Sequence, residues 1–192
     1  MRASVSLSGS TVNDIYTMTA QAEFIDNVTV SYAPLTGSAG YIIPIFALTG
    51  SASSTSGVSS YADITLFSQD SVNDPTEQIA QSANYTGNAT VTFAPVSFHF
   101  GSPFALGASL NPAVAMLANV SGSGSANFGN TAVLIGLQVY DQNMNPVSGV
   151  TYASALGANY SADGVVPDPY SIRLTGLGLV LLCLGRKLRF NT

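Results

Sequence analysis

Hydrophobic and polar residues alternate with a period of two along most of the chain before residue 160. Between Tyr16 and Phe24, every second residue is apolar, and the residues between them are threonine, glutamine or glutamate. This alternation is typical of β-strands that bury one face. The same pattern predicts strands at residues 4–8, 16–24, 28–32, 41–48, 61–67, 89–93, 96–100, 104–110, 114–119, 131–140 and 147–152.

Clusters of Gly, Ser, Asn, Asp and Pro separate these segments at the spacing expected of an antiparallel sandwich. They predict turns at residues 36–40, 70–76, 121–125 and 141–146, with 121–125 as a flexible loop. We therefore predict an all-β antiparallel sandwich of about 8–11 short strands. We expect this domain to comprise residues 1–165 and to be followed by one C-terminal hydrophobic helix.

Two strand segments carry more specific predictions. Residues 131–140 are apolar on most of both faces, which favours the middle of a sheet. The predicted faces are Val133, Ile135, Leu137 and Val139 on one side, and Leu134, Gly136, Gln138 and Tyr140 on the other. Pro44 indicates that the strand at 41–48 lies at an edge or is interrupted, because proline cannot donate to a β ladder.

Basic side chains are nearly confined to the C-terminus. Of the five Lys and Arg residues, only Arg2 precedes residue 173. Nine acidic residues against Arg2 give residues 1–166 a formal net charge of −8. A surface of this sign repels phosphate backbones and anionic lipids, which argues against nucleic-acid binding and against peripheral docking to a membrane.

The residues needed for common catalytic and metal chemistry are scarce. The one cysteine, Cys183, lies in the apolar tail, and the one histidine, His99, would have to serve any catalytic triad. His99 alternates with Phe98 and Phe100, which favours an outward-facing or hydrogen-bonded histidine. Ser123 lies between two glycines without the strand–turn–helix context of a nucleophile elbow. We predict no enzyme activity, no catalytic residue and no cofactor.

Two acidic segments partly match cation sites. Residues 141–145 spell Asp-Gln-Asn-Met-Asn, but Pro146 stands where a calcium loop needs glycine and Tyr152 where it needs glutamate, so a hairpin turn is favoured. The densest group of acids lies in the acidic loop 70–77 and consists of Asp70, Asp74 and Glu77. This group is a calcium candidate, and a solvated turn is the alternative.

The C-terminal tail begins with a segment that interrupts regular structure: Val166, Pro167, Asp168 and Pro169. Each proline lacks an N–H donor and disfavours helical geometry in the residue before it, so a helix starts only after Pro169. Residues 170–185 are then predicted to form a hydrophobic helix. Its apolar part, residues 174–184, is about 17 Å long as a helix, against about 30 Å of bilayer hydrocarbon.

A cationic end completes the tail. The apolar side chains of the predicted membrane segment are Leu174, Leu177, Leu179, Val180, Leu181, Leu182 and Leu184. They are followed, in residues 186–192, by Arg186, Lys187 and Arg189. The segment reaches about membrane length if these cations snorkel to the cytoplasmic interface, which leaves residues 1–165 outside. A buried core helix and an ordinary single-pass anchor are the alternatives.

These features, in this order at the C-terminus, resemble the PEP-CTERM sorting signal of Gram-negative bacteria. Asp168 stands where that family has glutamate, which preserves the charge. The resemblance covers residues 166–192. It implies that exosortase, an integral-membrane thiol protease or transpeptidase, recognises the tail while it lies transiently in the inner membrane. Residues 128–141, 145–147 and 153–160 are also similar to the final β segments of many proteins with this signal.

The resemblance implies export to the cell surface or extracellular matrix in bacteria that make exopolysaccharide. The predicted function is therefore that of a non-catalytic exported matrix protein. A carbohydrate-binding or adhesive module using the same route is the alternative, and an enzyme dependent on His99 is a third class. Residues 1–24 lack a cationic start followed by an apolar run. Since such a tail requires a signal peptide, we expect the true start upstream of Met1, or a vestigial tail.

Overall fold

The computed structural model describes residues 1–70, 74–81 and 84–160. In these residues the chain forms β-strands and one short 3-10 helix, Ala33–Leu35. The strands are β1 (Ala3–Ser10), β2 (Tyr16–Thr19), β3 (Ala22–Ser31), β4 (Ala39–Ser54), β5 (Val58–Asp70), β6 (Asp74–Gln81), β7 (Ala89–Thr92), β8 (Val96–His99), β9 (Pro103–Met116), β10 (Ser121–Asp141) and β11 (Thr151–Ser154). The all-β prediction is confirmed, whereas the predicted helix at 170–185 lies outside the described residues.

The strands form two antiparallel sheets in a sandwich-like arrangement. In the first sheet the order is β1-β10-β4, and both β7 and β8 pair with the remaining side of β4. In the second the order is β11-β3-β9-β5-β6, and β2 pairs with β9 next to β3. The core contains the inward-facing side chains of both sheets, and its largest fully buried members are Phe46, Phe98, Phe100, Phe104 and Phe128.

Several strands are longer than the sequence predicted. The segments 104–110 and 114–119 belong largely to the single strand β9, and β10 is 21 residues long. The predicted flexible loop at 121–125 is wrong, because these residues pair with β1. A Cβ on Gly122 would lie 2.2 Å from Thr55 Oγ1, and one on Gly124 would lie 2.5 Å from Ser60 Oγ. The glycines here permit close packing rather than flexibility.

Pro44 lies where β4 changes partner. β8 pairs with residues 39–42 of β4 and β7 pairs with residues 45–48. Between the two, the Pro44 carbonyl accepts a hydrogen bond from the Phe93 N–H at 3.1 Å. The Pro44 nitrogen, which has no hydrogen to donate, therefore faces the gap between β7 and β8. β4 is nevertheless an interior strand that runs unbroken through Pro44, so the predicted edge or interrupted strand is wrong, and the break lies in the partner strands on one side of β4.

A bulge at Ile135 changes the predicted faces of β10. The pairing with β4 shifts between Leu134 and Gly136, and Ile135 is 41% exposed. Ala132 and Leu134 are buried before the shift, and Leu137 and Val139 after it. The extra residue reverses the phase of the alternation, so a continuous period of two gave the wrong faces. β10 lies between β1 and β4, but β1 pairs only with its residues 121–128.

Candidate functional site

The residues of the predicted sorting signal, 166–192, lie outside the described part of the chain. What the structure does place is the segment just before them, residues 151–160. It contains β11, which pairs through four residues with the end of β3. After β11 the Ala155 N–H donates to the Asn27 carbonyl of β3 at 3.0 Å, and residues 155–156 form a turn.

A buried carboxylate holds this segment. Asp26 on β3 is 2% exposed. Its Oδ2 accepts hydrogen bonds from the Ser154 hydroxyl and, at 2.7 Å, from the Tyr160 hydroxyl. Its Oδ1 accepts from the Leu156 N–H at 3.1 Å, and Ser154 Oγ accepts from the Ala158 N–H at 2.9 Å. We call these five residues the Asp26 cluster.

Tyr160 closes the Asp26 cluster from the core side. The residue is 3% exposed and belongs to the hydrophobic core. Burial raises the pKa of its phenol, and so do the hydrogen bond to Asp26 and the negative charge of Asp26. The phenol therefore stays protonated as a donor. The Tyr152 ring lies 6.5 Å from the Tyr160 ring, and its hydroxyl donates to the Leu137 carbonyl of the other sheet at 3.3 Å.

Sequence reasoning missed the Asp26 cluster, although one signal was present. Asp26 occupies an inward position between Phe24 and Val28, in the apolar phase of a strand. A charged residue on a buried face requires hydrogen-bond partners. Those partners lie 128 to 134 residues away along the chain. The pattern therefore indicated that Asp26 requires hydrogen-bond partners, but it did not indicate which residues supply them.

The structure joins the one histidine to the acidic candidate group. Asp70, at the end of β5, is 1% exposed, and its Oδ2 lies 2.8 Å from His99 Nδ1 on β8. This contact links the two sheets, and His99 is the hydrogen-bonded residue that the sequence allowed. Asp70 pairs in register with Asp74. The structure does not describe the side chains of Asp74 and Glu77. Among the residues that it does describe, no three potential metal ligands form a cluster.

Residues 141–146 form the predicted hairpin turn. Asp141 Oδ1 accepts from the Asn143 N–H at 2.8 Å and from the Asn145 N–H at 2.9 Å. Its Oδ2 accepts from Asn145 Nδ2 at 3.0 Å. These bonds, above all that of the Asn145 side chain, lower the pKa of Asp141. The carboxylate is thus engaged by its own turn.

The outer side of the first sheet carries a regular set of hydroxyl groups, which we call the serine face: Ser4, Ser6, Ser8, Ser51, Ser53, Ser123 and Ser125. The register places Ser125 between Ser6 on β1 and Ser53 on β4. Ser53 Oγ and Ser125 Oγ lie 3.2 Å apart. A shallow groove of about 490 Å³ runs across this face.

A second groove, of about 720 Å³, lies where β10 ends and the chain crosses to β11. We call it the tyrosine groove, and its lining includes Gln138, Tyr140, Pro146, Thr151 and Tyr152. The Tyr140 hydroxyl donates to Gln138 Oε1 at 3.1 Å. The groove thus combines aromatic rings with amide and hydroxyl groups, which the sequence alone did not bring together.

Comparisons with known proteins add little to this geometry. No protein-family model matches the chain, and no curated protein matches it. A solved structure of infectious bursal disease virus, Gt strain, is similar at a TM-score of 0.27 and 12% identity. The alignment covers 86% of this chain and 39% of the viral chain, so this chain spans about two fifths of that protein. Within residues 1–70, 74–81 and 84–160, no helix is long and apolar enough to cross a membrane.

Proposed function

We propose that the protein is a non-catalytic exported component of the cell surface or of an exopolysaccharide matrix, sorted and processed through residues 166–192. The observation that carries this proposal is the order of features in the tail. A proline-broken acidic motif, an apolar segment and a cationic end follow one another at the C-terminus. The described domain is compatible with it, since its polar surface consists mainly of hydroxyls, amides and carboxylates rather than cations.

Each part of the tail has a defined role in this proposal. The apolar segment holds the chain in the inner membrane, and Arg186, Lys187 and Arg189 keep its end on the cytoplasmic side. The motif at 166–169 then lies just outside the membrane, where its prolines keep the backbone extended and accessible. Exosortase would cut near Pro167 and Pro169 and release the β domain to the surface or matrix.

The experiment is an intact-mass measurement of the mature protein from a host that has exosortase. We expect a species that ends at or before Pro169 and therefore lacks the three basic residues. A variant with both prolines replaced by alanine should keep its tail. Asp168→Glu is the matched control, because it restores the family residue and should be processed as well as the wild type. A mature wild-type protein that still ends at Thr192 would refute the proposal.

The tyrosine groove favours a second function, binding of a saccharide. Sugar rings pack their C–H faces on aromatic side chains and hydrogen-bond to nearby amides and hydroxyls, and a groove of about 720 Å³ lies in the usual size range of ligand sites. The test is a glycan array probed with the full-length protein. Tyr140→Ala should weaken binding about fivefold or more, whereas Tyr16→Ala, at another exposed tyrosine, should not. Equal loss in both variants, or no binding, would exclude this function.

A further inference from the structure

We propose that the Asp26 cluster holds residues 151–160 against the domain and so sets the boundary that proteolysis of the tail does not pass. Asp26 is then a positioning residue for tail processing, and this role rests on the proposed function. Tyr160, the last member of the Asp26 cluster, lies seven residues before Pro167. No other described residue ties the segment 155–160 to the domain through a buried carboxylate.

The pairing of β11 alone is a weak attachment. This strand has four residues, its positions alternate between exposed and partly buried, and it pairs with β3 on one side. Short edge strands of this kind open locally at low free energy. The Asp26 cluster adds hydrogen bonds from two hydroxyls and one backbone N–H to a buried carboxylate. Hydrogen bonds to charged groups are among the stronger ones in proteins.

The Asp26 cluster also fixes how far the motif can move from the domain. With Tyr160 buried, the seven peptide units to Pro167 span at most about 25 Å. If the Asp26 cluster opens and β11 separates from β3 with it, the next hydrogen bond that ties the chain to the domain is from the Val147 N–H to the Val139 carbonyl, at 2.9 Å. The span to Pro167 then grows to at most about 70 Å.

Protease access follows from the same geometry. A protease needs several consecutive residues in an unpaired, extended form, so paired and buried residues are cut only after local opening. With the Asp26 cluster closed, residues 151–160 are paired or buried and resist cleavage. With the cluster open, residues 151–160 become substrates. The Asp26 cluster thus protects β11 from proteolysis.

Limited digestion of the full-length protein in mild detergent, with a protease of broad specificity and intact-mass detection, tests this boundary. The variants are Asp26→Asn, which removes the charge, and Tyr160→Phe, which removes one donor and keeps the ring. Asp63→Asn is the matched control, because Asp63 accepts from Asn111 Nδ2 at 3.1 Å at mid-strand in β5. Residues 151–160 should stay uncut in wild type and control. Both cluster variants should be cut within 151–160 at least about tenfold faster.

The same variants are then expressed in the exosortase host, and the C-terminus of the mature protein is measured. Additional C-termini within 151–160 in both cluster variants, with circular dichroism like that of the wild type, support the boundary role. If Asp26→Asn unfolds the whole domain, Tyr160→Phe decides. Wild-type fragments from both cluster variants overturn the inference alone. A wild-type protein that retains Thr192 overturns the proposed function, and the processing role with it.

Discussion

Gly107 on β9 is a position where an added methyl group should destabilise the fold. An ideal Cβ at this residue would lie 2.0 Å from Cε2 of Phe67 and 2.8 Å from the Phe24 carbonyl oxygen. Phe67 is the residue paired with Gly107 on β5, so its ring covers the glycine on the outer side of the second sheet. Ordinary carbon–carbon contacts lie at about 3.5–4.0 Å, so the ring would have to move by about 1.5 Å or more.

The magnitude follows from two opposing effects of Gly107→Ala. Overpacking costs about 1–3 kcal/mol, and the upper half applies because the Phe24 carbonyl belongs to β3, which is fixed against β9. Alanine is better than glycine in a strand by about 0.5–1 kcal/mol. The net loss in the free energy of unfolding is about 2 kcal/mol. With a urea m-value of about 2 kcal/mol/M, the midpoint should fall by about 1 M.

Urea unfolding followed by far-ultraviolet circular dichroism measures this loss. Gly87→Ala is the control, because a Cβ there meets nothing within 4 Å, and its midpoint should stay the same or rise slightly. Phe67→Ala removes the ring, so adding Gly107→Ala in that background should cost less than it does alone. The steric explanation is wrong if Gly107→Ala behaves like Gly87→Ala, or if its cost is unchanged without the Phe67 ring.

Three further predictions concern charge. The raised pKa of Tyr160 means that the folded state holds the phenolic proton more tightly than the unfolded chain does. The contribution of Tyr160 to the free energy of unfolding is therefore constant below the ordinary pKa of 10.0 and falls above it. Urea midpoints measured between pH 8 and 11 should fall less steeply for Tyr160→Phe than for the wild type. Asp141→Ala should accelerate amide hydrogen exchange at Asn143 and Asn145, whose N–H groups lose their acceptor, without changing the urea midpoint. The particle size of residues 1–165, measured by light scattering, should grow with millimolar calcium or near the sequence pI of about 4.3. Under these conditions the repulsion between the acidic surfaces of neighbouring molecules is screened or lost. An unchanged particle size would refute this prediction.

The alternation of residue types was sufficient for the fold class and for most strand positions. It was insufficient where one residue changes the phase or the partner. Ile135 reverses the faces of β10, and the adjacent Gly136 is a signal of a bulge that the continuous alternation did not include. Gly122 and Gly124 have the composition of a loop, but they lie under close neighbours in a strand. Local composition does not distinguish these cases, because pairing with β4 decides the first and side chains of β5 in the opposite sheet contribute to the second.

The sequence likewise indicated only part of the candidate site. The tail motif is a contiguous pattern, so the sequence contains all of it. The Asp26 cluster and the tyrosine groove combine residues from distant segments, and alternation indicated only that Asp26 falls on a buried face. The acidic group was predicted as a turn or calcium site, yet Asp70 points to His99 across the sandwich. A one-dimensional pattern cannot indicate a contact of that kind.

The strand order has a consequence for how the chain would fold during the proposed export. β1 pairs with β10, and the amino group of Met1 donates to the Ala132 carbonyl at 2.9 Å, across 131 residues of sequence. Asp26 meets Tyr160 across 134 residues. Neither sheet can be completed while the second half of the chain is still being made or moved, and folds dominated by such distant contacts form slowly. A chain exported from its N-terminus would therefore stay unfolded in transit, and its last stabilising contacts would form just as the tail reaches the membrane.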